Sequence, residues 1–282
     1  PLLGHCARDI RHQPLPRCRG GACVGTRRVE RLVFDTQLPR VAADSRCLQD
    51  IAYTESRIAE LYLLLDAYRQ KGLSMLSFRT IEPHTLELLK HLMQVPEFSE
   101  LRLVGGTALA LQYGHRTSVD LDLFGYVALE DDEFLALLQT VSTDIRVLNE
   151  RRNIHQYVIN GIKVDFVNYA YPWIDNVRVE NGIRLATPPD IAAMKVNAIE
   201  GRGSRKDFVD MYVLLQHYSL KQILDFYKQK YPEHSEFRAL RSLAYFEDAE
   251  TQFMPNMFIP TDWEAMKAAI EAAVADYGSY QN

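Results

Sequence analysis

The sequence predicts an α/β fold, in the broad sense that includes α+β proteins, with a mixed sheet followed by a C-terminal helical region. From Met75 to about residue 187, helical periodicity alternates with short apolar segments, which is the pattern of a sheet that carries helices. After Pro188-Pro189 the extended pattern stops and helical segments follow one another. No apolar run reaches the roughly 18–20 residues needed to span a bilayer, so we expect no membrane association.

Each predicted element has its own pattern of apolar positions. The first part predicts helices at 83–95, 107–113 and 131–140, and strands at 101–104, 118–124, 145–150, 155–160 and 162–169. Asn160-Gly161 predicts a type I′ hairpin turn, because both residues tolerate a positive φ. The second part predicts helices at 190–200, 204–218, 220–230, 235–246 and 262–276.

The first 74 residues differ in composition from the rest of the 282-residue chain. They hold eleven arginines and all four cysteines (Cys6, Cys18, Cys23 and Cys47), but the cysteine spacing is irregular and disfavours a zinc site. This Arg/Cys-rich extension suits a disordered tail, a basic arm or a start codon assigned too far upstream. We favour the last, although residues 48–70 also suit an amphipathic helix. The sequence therefore predicts three parts: 1–74, a core at 75–187 and a helical domain at 188–282.

Three aspartates on apolar strands are the strongest chemical signal. Asp120 and Asp122 are two residues apart, so in a strand they lie on one face, and Asp165 occupies a similar apolar strand. Carboxylates in such surroundings are costly unless they are paired or bind a metal. Oxygen ligands of this kind suit Mg²⁺, so we expect a site with two magnesium ions held by these residues.

A glycine turn precedes the aspartates. Gly105, Gly106 and Thr107 stand between a predicted strand and a predicted helix. Glycines there allow backbone N–H groups to approach a phosphate, and the helix N-terminus adds favourable partial charge. The turn and the Asp-x-Asp strand together predict a nucleotide site.

This combination resembles the nucleotidyltransferase superfamily typified by DNA polymerase β, which implies a polymerase-β-like core. More closely, the segment GGTALALQYGHRTSVDLDLF (105–124) is similar to the AbiEii/AbiGii toxin family. The segments KVDFV (163–167) and KVNAIEGRGSRKDFVDMYVLL (195–215) match later motifs of that family. The resemblance covers the chain from Met75 onward and does not extend to residues 1–74.

The resemblance also implies roles for further residues. The positions of Lys195 and Asp210 count among the essential ones in that family, so both are expected to be catalytic together with Asp120, Asp122 and Asp165. The positions that match its nucleotide-binding blocks, or that add cations beside them, are Gly105, Gly106, Thr107, Arg116, Ser118, Arg202 and Lys206.

The implied function is Mg²⁺-dependent transfer of a nucleoside monophosphate from an NTP to an RNA acceptor such as tRNA. The resemblance further implies a bacterial cytoplasmic toxin of an abortive-infection system, with a separately encoded antitoxin. Two alternatives stay open: an antibiotic-modifying nucleotidyltransferase, and a catalytically silent nucleotide-binding partner. Glycosyltransferases share Asp-x-Asp but lack the upstream glycine turn. Aspartate-nucleophile phosphatases are rejected, because Phe124 stands where they need Thr or Val.

Overall fold

The computed structural model describes residues 76–151 and 153–279, in which short strands alternate with helices before a run of helices. The strands are β1 (Arg102–Leu103), β2 (Leu121–Gly125), β3 (Ile145–Arg151), β4 (Ile154–Ile159), β5 (Ile162–Asn168), β6 (Arg178–Glu180) and β7 (Ile183–Leu185). The helices are α1 (Pro83–Gln94), α2 (Gly105–Tyr113), α3 (Asp131–Val141), α4 (Pro188–Gly201), α5 (Arg205–Leu215), α6 (Leu220–Lys230), α7 (Glu236–Leu243), α8 (Glu247–Glu250) and α9 (Trp263–Ser279).

The strands form one mixed sheet in the order β3-β4-β5-β2-β1-β7-β6. The pairs β2/β5 and β1/β7 are parallel, and the other neighbouring strands are antiparallel. The parallel pair β2/β5 lies near the middle of the sheet, with Asp122 directly opposite Asp165. This register sets the position of the acidic side chains.

One face of the central strands is apolar and closed to solvent. Leu121 and Leu123 of β2, and Val164 and Phe166 of β5, are almost fully buried. Each such side chain stabilises the fold by about 1.5–3 kcal/mol. Because side chains alternate across a strand, the residues between them, including Asp122 and Asp165, lie on the opposite face.

The predicted fold class is confirmed, since a mixed sheet is followed by a helical region that begins at Pro188. The Asn160-Gly161 turn has the two positive φ values, 52° and 78°, that a type I′ hairpin requires. The sequence analysis missed the β6–β7 hairpin. Its turn, Asn181-Gly182, has almost the same angles and carries the same dipeptide signal.

Three boundaries differ from the predictions in ways that matter. Helix α2 begins at Gly105, so the glycines form its first turn and do not precede it. Strand β2 begins at Leu121, which leaves Asp120 immediately before the strand. The helix predicted at 235–246 ends at Leu243, and a separate turn, α8, follows it.

Met75, the four cysteines and the helix expected at 48–70 lie outside the described residues. Within 76–151 and 153–279, no helix has the length and apolar character needed to cross a membrane.

Candidate active site

Two aspartates lie side by side on the face of the central strands opposite the apolar one. Asp122 and Asp165 occupy paired positions of the parallel strands β2 and β5, so both side chains project to the same side. Burial raises the pKa of the Asp122 carboxyl, and the negative charge of Asp165 raises it further. Asp120 acts in the same direction, whereas Lys195 and Lys163 partly oppose it. The site therefore concentrates negative charge in a poorly solvated place.

The Asp165 carboxylate has one oxygen that accepts hydrogen bonds and one that does not. Its Oδ2 accepts hydrogen bonds from Lys163 Nζ (2.5 Å) and Gln156 Nε2 (3.0 Å). Its Oδ1 is buried and has no hydrogen-bond partner among the described residues. The sequence analysis missed both Lys163 and Gln156. Lys163 could have been found, because it stands two residues before Asp165 and so shares its face of the strand.

Asp120 lies at the edge of this pair. Its carboxylate is about one-third exposed, and its Oδ2 lies 3.5 Å from Nζ of the half-exposed Lys206. The Thr107 hydroxyl donates to the Asp120 carbonyl, and the hydroxyls of Thr107 and Ser118 are hydrogen-bonded at 2.9 Å. Thr107 is buried, so its side chain positions the segment that carries Asp120.

Both glycines of the predicted turn lie against charged side chains. Gly105 has a φ of +67°, and a Cβ there would stand 2.3 Å from Asp122 Oδ2. A Cβ on Gly106 would stand 2.1 Å from Nη2 of Arg116 and 3.4 Å from Oδ2 of Asp210. The first turn of α2 thus brings its backbone directly against the acidic site on one side and a buried ion pair on the other.

That ion pair joins the segment before β2 to helix α5. Arg116 donates two parallel hydrogen bonds to Asp210, from Nε to Oδ1 (2.7 Å) and from Nη2 to Oδ2 (2.8 Å). His115 Nε2 lies 2.8 Å from Oδ1, and Lys195 Nζ lies 2.6 Å from Oδ2. Burial by itself would raise the pKa of Asp210, but Arg116 and Lys195 hold it well below its usual range.

A second carboxylate completes this buried network. Asp207 accepts hydrogen bonds from Lys195 (2.9 Å), Arg202 (2.8 and 3.0 Å) and Ser204 (2.5 Å). Burial opposes its ionisation, yet the two cations lower the pKa of Asp207 far below the usual range. The pKa of Lys195 is raised because Asp210 and Asp207 outweigh its own burial. Asp207, Asp210 and Lys195 are therefore charged at neutral pH.

The structure thus divides the predicted site residues into two groups. One group is at least partly accessible at the sheet face or beside it: Asp120, Asp122, Asp165, Lys206, Arg202, Ser118, Gly105 and Gly106. The other is buried: Arg116, Lys195 and Asp210, which form the network behind the glycine turn, and Thr107. The two groups interact electrostatically, since Lys195 lowers the pKa of Asp122. Sequence reasoning missed His115, whose burial against Asp210 leaves no local signal, and it assigned no site role to Asp207.

The acidic residues fit a divalent cation by their chemistry. Adjacent carboxylates, a raised pKa at Asp122 and the unpartnered Oδ1 of Asp165 all favour binding of a hard cation by oxygen ligands. As placed, the described residues contain no group of three or more His, Cys, Asp or Glu side chains arranged around one metal position. Lys163 and Lys206 instead neutralise part of the charge of Asp165 and Asp120.

Comparison with known proteins places this arrangement in a family. The family model described as nucleotidyl transferase AbiEii toxin, type IV toxin–antitoxin system, matches residues 87–280. An uncharacterized protein of Aquifex aeolicus (strain VF5) is 32% identical over 209 residues, which is 71% of this chain and 98% of that protein.

Two solved structures are similar at lower identity. The nucleotidyltransferase toxin MenT4 of Mycobacterium tuberculosis has 15% identity and a TM-score of 0.46, over 67% of this chain and 79% of its own. A Helicobacter pylori protein described as a nucleotidyltransferase has 19% identity and a TM-score of 0.45, over 69% and 94%.

The family match shows that the protein is a nucleotidyltransferase, an enzyme of the class that the glycine turn and the paired aspartates indicate. Within that class, the chain belongs to the AbiEii nucleotidyl transferase toxin family.

Proposed function

We propose that the protein transfers a nucleoside monophosphate from an NTP to a hydroxyl of an RNA acceptor such as tRNA, with Mg²⁺ as the metal. We also propose that it acts in the bacterial cytoplasm as the toxin of an abortive-infection system, opposed by a separately encoded antitoxin. The family description supports the toxin part of this proposal. The observation that supports the chemistry is the register of β2 and β5, which brings Asp122 and Asp165 together beside the glycine turn.

The accessible residues bind the nucleotide and the metal in this proposal. Asp120, Asp122 and Asp165 would hold the magnesium ions, which would supply charge neutralisation and a more acidic attacking hydroxyl. The backbone N–H groups of Gly105, Gly106 and Thr107 bind phosphate oxygens at the N-terminus of α2. Arg202 and Lys206 hold the remaining phosphate charge. The Ser118 hydroxyl, hydrogen-bonded to Thr107, orients the segment that leads to Asp120.

The buried network fixes the position of the glycine turn. Arg116 and Asp210 fill the space behind Gly106, and with Lys195 they form charge-assisted hydrogen bonds that resist rearrangement. Lys195 also adds positive potential where charge develops as pyrophosphate leaves. Because these residues come from both 75–187 and 188–282, we propose that the site depends on both parts of the chain.

The reaction balances without a further reactant. The acceptor oxygen attacks the α-phosphorus in line, the new O–P bond forms, and the bond between the α-phosphorus and the bridging oxygen breaks. The products are the nucleotidylated acceptor and pyrophosphate, and the hydroxyl proton passes to the solvent.

The test is labelling of RNA by the purified protein. Wild-type protein, Asp122→Asn and the control Asp144→Asn, which changes an exposed acid outside the site, are each incubated with Mg²⁺, total RNA and one labelled NTP at a time. We expect label in a tRNA-sized band with the wild type and with Asp144→Asn. Asp122→Asn should lower labelling by at least about 100-fold, because a group that positions the reacting phosphate is lost.

Two outcomes would contradict the proposal. One is labelling by Asp122→Asn at the wild-type rate, which would exclude the paired aspartates from the chemistry. The other is label only in an added aminoglycoside, which would support the antibiotic-modifying alternative.

A further inference from the structure

An aromatic cluster lies beyond the carboxyl ends of β2 and β5. The Tyr169 ring is 5.3 Å from Phe124, 5.4 Å from Tyr171 and 5.3 Å from Trp173. Three of these rings, with Tyr126, line a cavity of about 330 Å³, near the lower end of the size range of ligand pockets. Tyr126 is 60% exposed and Tyr171 is 42% exposed. The cluster therefore offers ring faces to solvent.

The cluster continues the face of the sheet that carries the aspartates. Phe124 stands two residues after Asp122, and Tyr169 stands four residues after Asp165, so each shares the side of its aspartate. The Tyr169 N–H bonds the Gly125 carbonyl and extends the β2/β5 pairing by one residue. At about 3.3 Å per residue, the Phe124 and Tyr169 rings lie roughly 7–13 Å from the carboxylates. A chain whose end reaches the aspartates would thus pass over the rings.

Buried ionic contacts fix the segment that carries the cluster. Lys230 is fully buried and donates to Asp190 (2.7 Å) and to the Pro172 carbonyl (2.8 Å). Asp190 also accepts from the Ile174 backbone N–H (2.9 Å), and the Lys230 ammonium lies 4.5 Å from the Trp173 ring centre. A ligand would bind rings already held in position, which reduces the ordering cost of binding.

The charge around the cavity favours an anionic ligand with flat apolar groups. The Arg102 guanidinium lies 4.3 Å over the Trp173 ring, and the charged side chains of the lining are Arg102, Arg184 and one acid, Glu100. Residues 75–282 as a whole carry 29 acidic and 20 basic side chains, so the charge balance of this lining is opposite in sign to that of the segment. Aromatic faces beside arginine bind unpaired nucleobases, whereas a duplex keeps its bases stacked on each other.

We propose that Tyr126 and Tyr171, supported by Tyr169, Trp173 and Arg102, form a stacking surface for unpaired bases of the acceptor RNA. These bases lie next to the hydroxyl that receives the nucleotide. The acceptor is therefore an RNA with a single-stranded end. This inference rests on the proposed function and names the part of the acceptor that the protein reads.

The test replaces the two most exposed rings of the cluster. Tyr126→Ala and Tyr171→Ala are compared with Tyr245→Ala, which removes a similarly exposed tyrosine that lines a different cavity. We expect each cluster variant to raise KM for RNA at least about fivefold, since stacking contributes about 1–3 kcal/mol per base. KM for NTP should stay at the wild-type value. Tyr126→Phe and Tyr171→Phe should restore RNA binding, because the ring face is kept.

Direct binding separates this inference from the proposed function. The probes are a fluorescent single-stranded 12-nucleotide RNA and the same sequence as a blunt duplex, measured by anisotropy without NTP. Weaker binding of the single strand by both alanine variants supports the inference, and equal binding by all variants overturns it. A wild-type protein that labels no RNA but binds the single strand through these rings contradicts the proposed reaction and leaves the stacking surface standing.

Discussion

Gly105 shows how one residue determines the geometry of the site. Its positive φ is a conformation that residues with a Cβ rarely adopt, and the space where a Cβ would stand is filled by the Asp122 carboxylate. Several other glycines of the described residues meet only one of these two requirements. Gly161 meets the first alone, since its φ is +78° but no atom of the described residues lies within 4 Å of where its Cβ would stand.

Comparing alanine at these two glycines separates strain from steric contact. Gly161→Ala should destabilise the protein by about 1–2 kcal/mol and leave labelling of RNA unchanged, because only backbone strain is added. Gly105→Ala adds the same strain and also displaces Asp122, so we expect labelling to fall about 100-fold. Thermal unfolding and initial rates measure the two effects. Equal activity of both variants would show that glycine is needed at position 105 only for the backbone conformation of the turn.

Asp122 is expected to destabilise the folded protein, although its carboxylate serves the site. The pKa of the Asp122 carboxyl in the folded protein lies above the unfolded value of about 3.9, so the folded state binds the proton more tightly. The stability of the fold therefore decreases as the pH rises from the unfolded pKa to the folded pKa. At neutral pH the charged group therefore destabilises the fold. Asp122→Asn should raise Tm by about 2–4 °C for each kcal/mol recovered.

Added Mg²⁺ should raise Tm of the wild type and have little effect on Asp122→Asn, since binding to the folded state stabilises it. Asp144→Asn serves as the control and should behave as the wild type in both buffers. A lower Tm for Asp122→Asn would mean that the carboxylate is stabilised by its surroundings, against the direction of its pKa.

At the scale of single elements, the start of helix α5 holds two neighbouring cations with different roles. Arg205 donates to the carbonyls of Ala249 (2.9 Å) and Glu250 (2.7 Å) and lies over the Trp263 ring at 4.6 Å. Lys206 points instead toward Asp120 and is half exposed. Arg205 therefore connects α5 to α8 and α9, whereas Lys206 faces the site.

Alanine substitutions should therefore have opposite consequences at these two positions. Arg205→Ala loses charged hydrogen bonds and should cost about 1–3 kcal/mol of stability, with KM for NTP little changed. Lys206→Ala should raise KM for NTP several-fold and hardly change Tm, because exposed ion pairs contribute little. Denaturant titration and steady-state kinetics distinguish them. If Lys206→Ala lowers Tm and leaves KM unchanged, Lys206 is a structural residue.

Helices and strands were predictable where the local pattern of apolar residues determines them, and they were missed where it does not. Asn160-Gly161 lies between two long alternating strands, whereas Asn181-Gly182 joins strands of three residues, too short for a visible period. Strand β1 is only two residues long, yet its apolar context and the glycines after it identified it. The start of β2 at Leu121 depends on pairing with β5, which local propensity does not contain.

At the scale of the whole molecule, the order of helical and extended patterns along the chain predicted the fold class. It did not predict the order of the strands in the sheet. The three aspartates were expected to converge. Their spacing of two residues is enough to predict that Asp120 and Asp122 lie on the same face of a strand. The register that pairs Asp122 with Asp165 joins residues more than forty positions apart. The Arg116–Asp210 contact spans 94 positions, so no local rule reveals that these charges neutralise each other inside the protein.

The segment around Arg116 also sets the moment at which the site becomes complete during synthesis. The Thr117 N–H donates to the Asn256 carbonyl (2.9 Å), and the Phe258 N–H donates to the His115 carbonyl (2.8 Å). Ribosomes add roughly 5–20 residues per second, so these partners are made some 7–28 s apart. The paired aspartates are therefore synthesised long before the backbone that secures their neighbours. A growing chain passes through an extended period in which the acidic strands exist without a finished site.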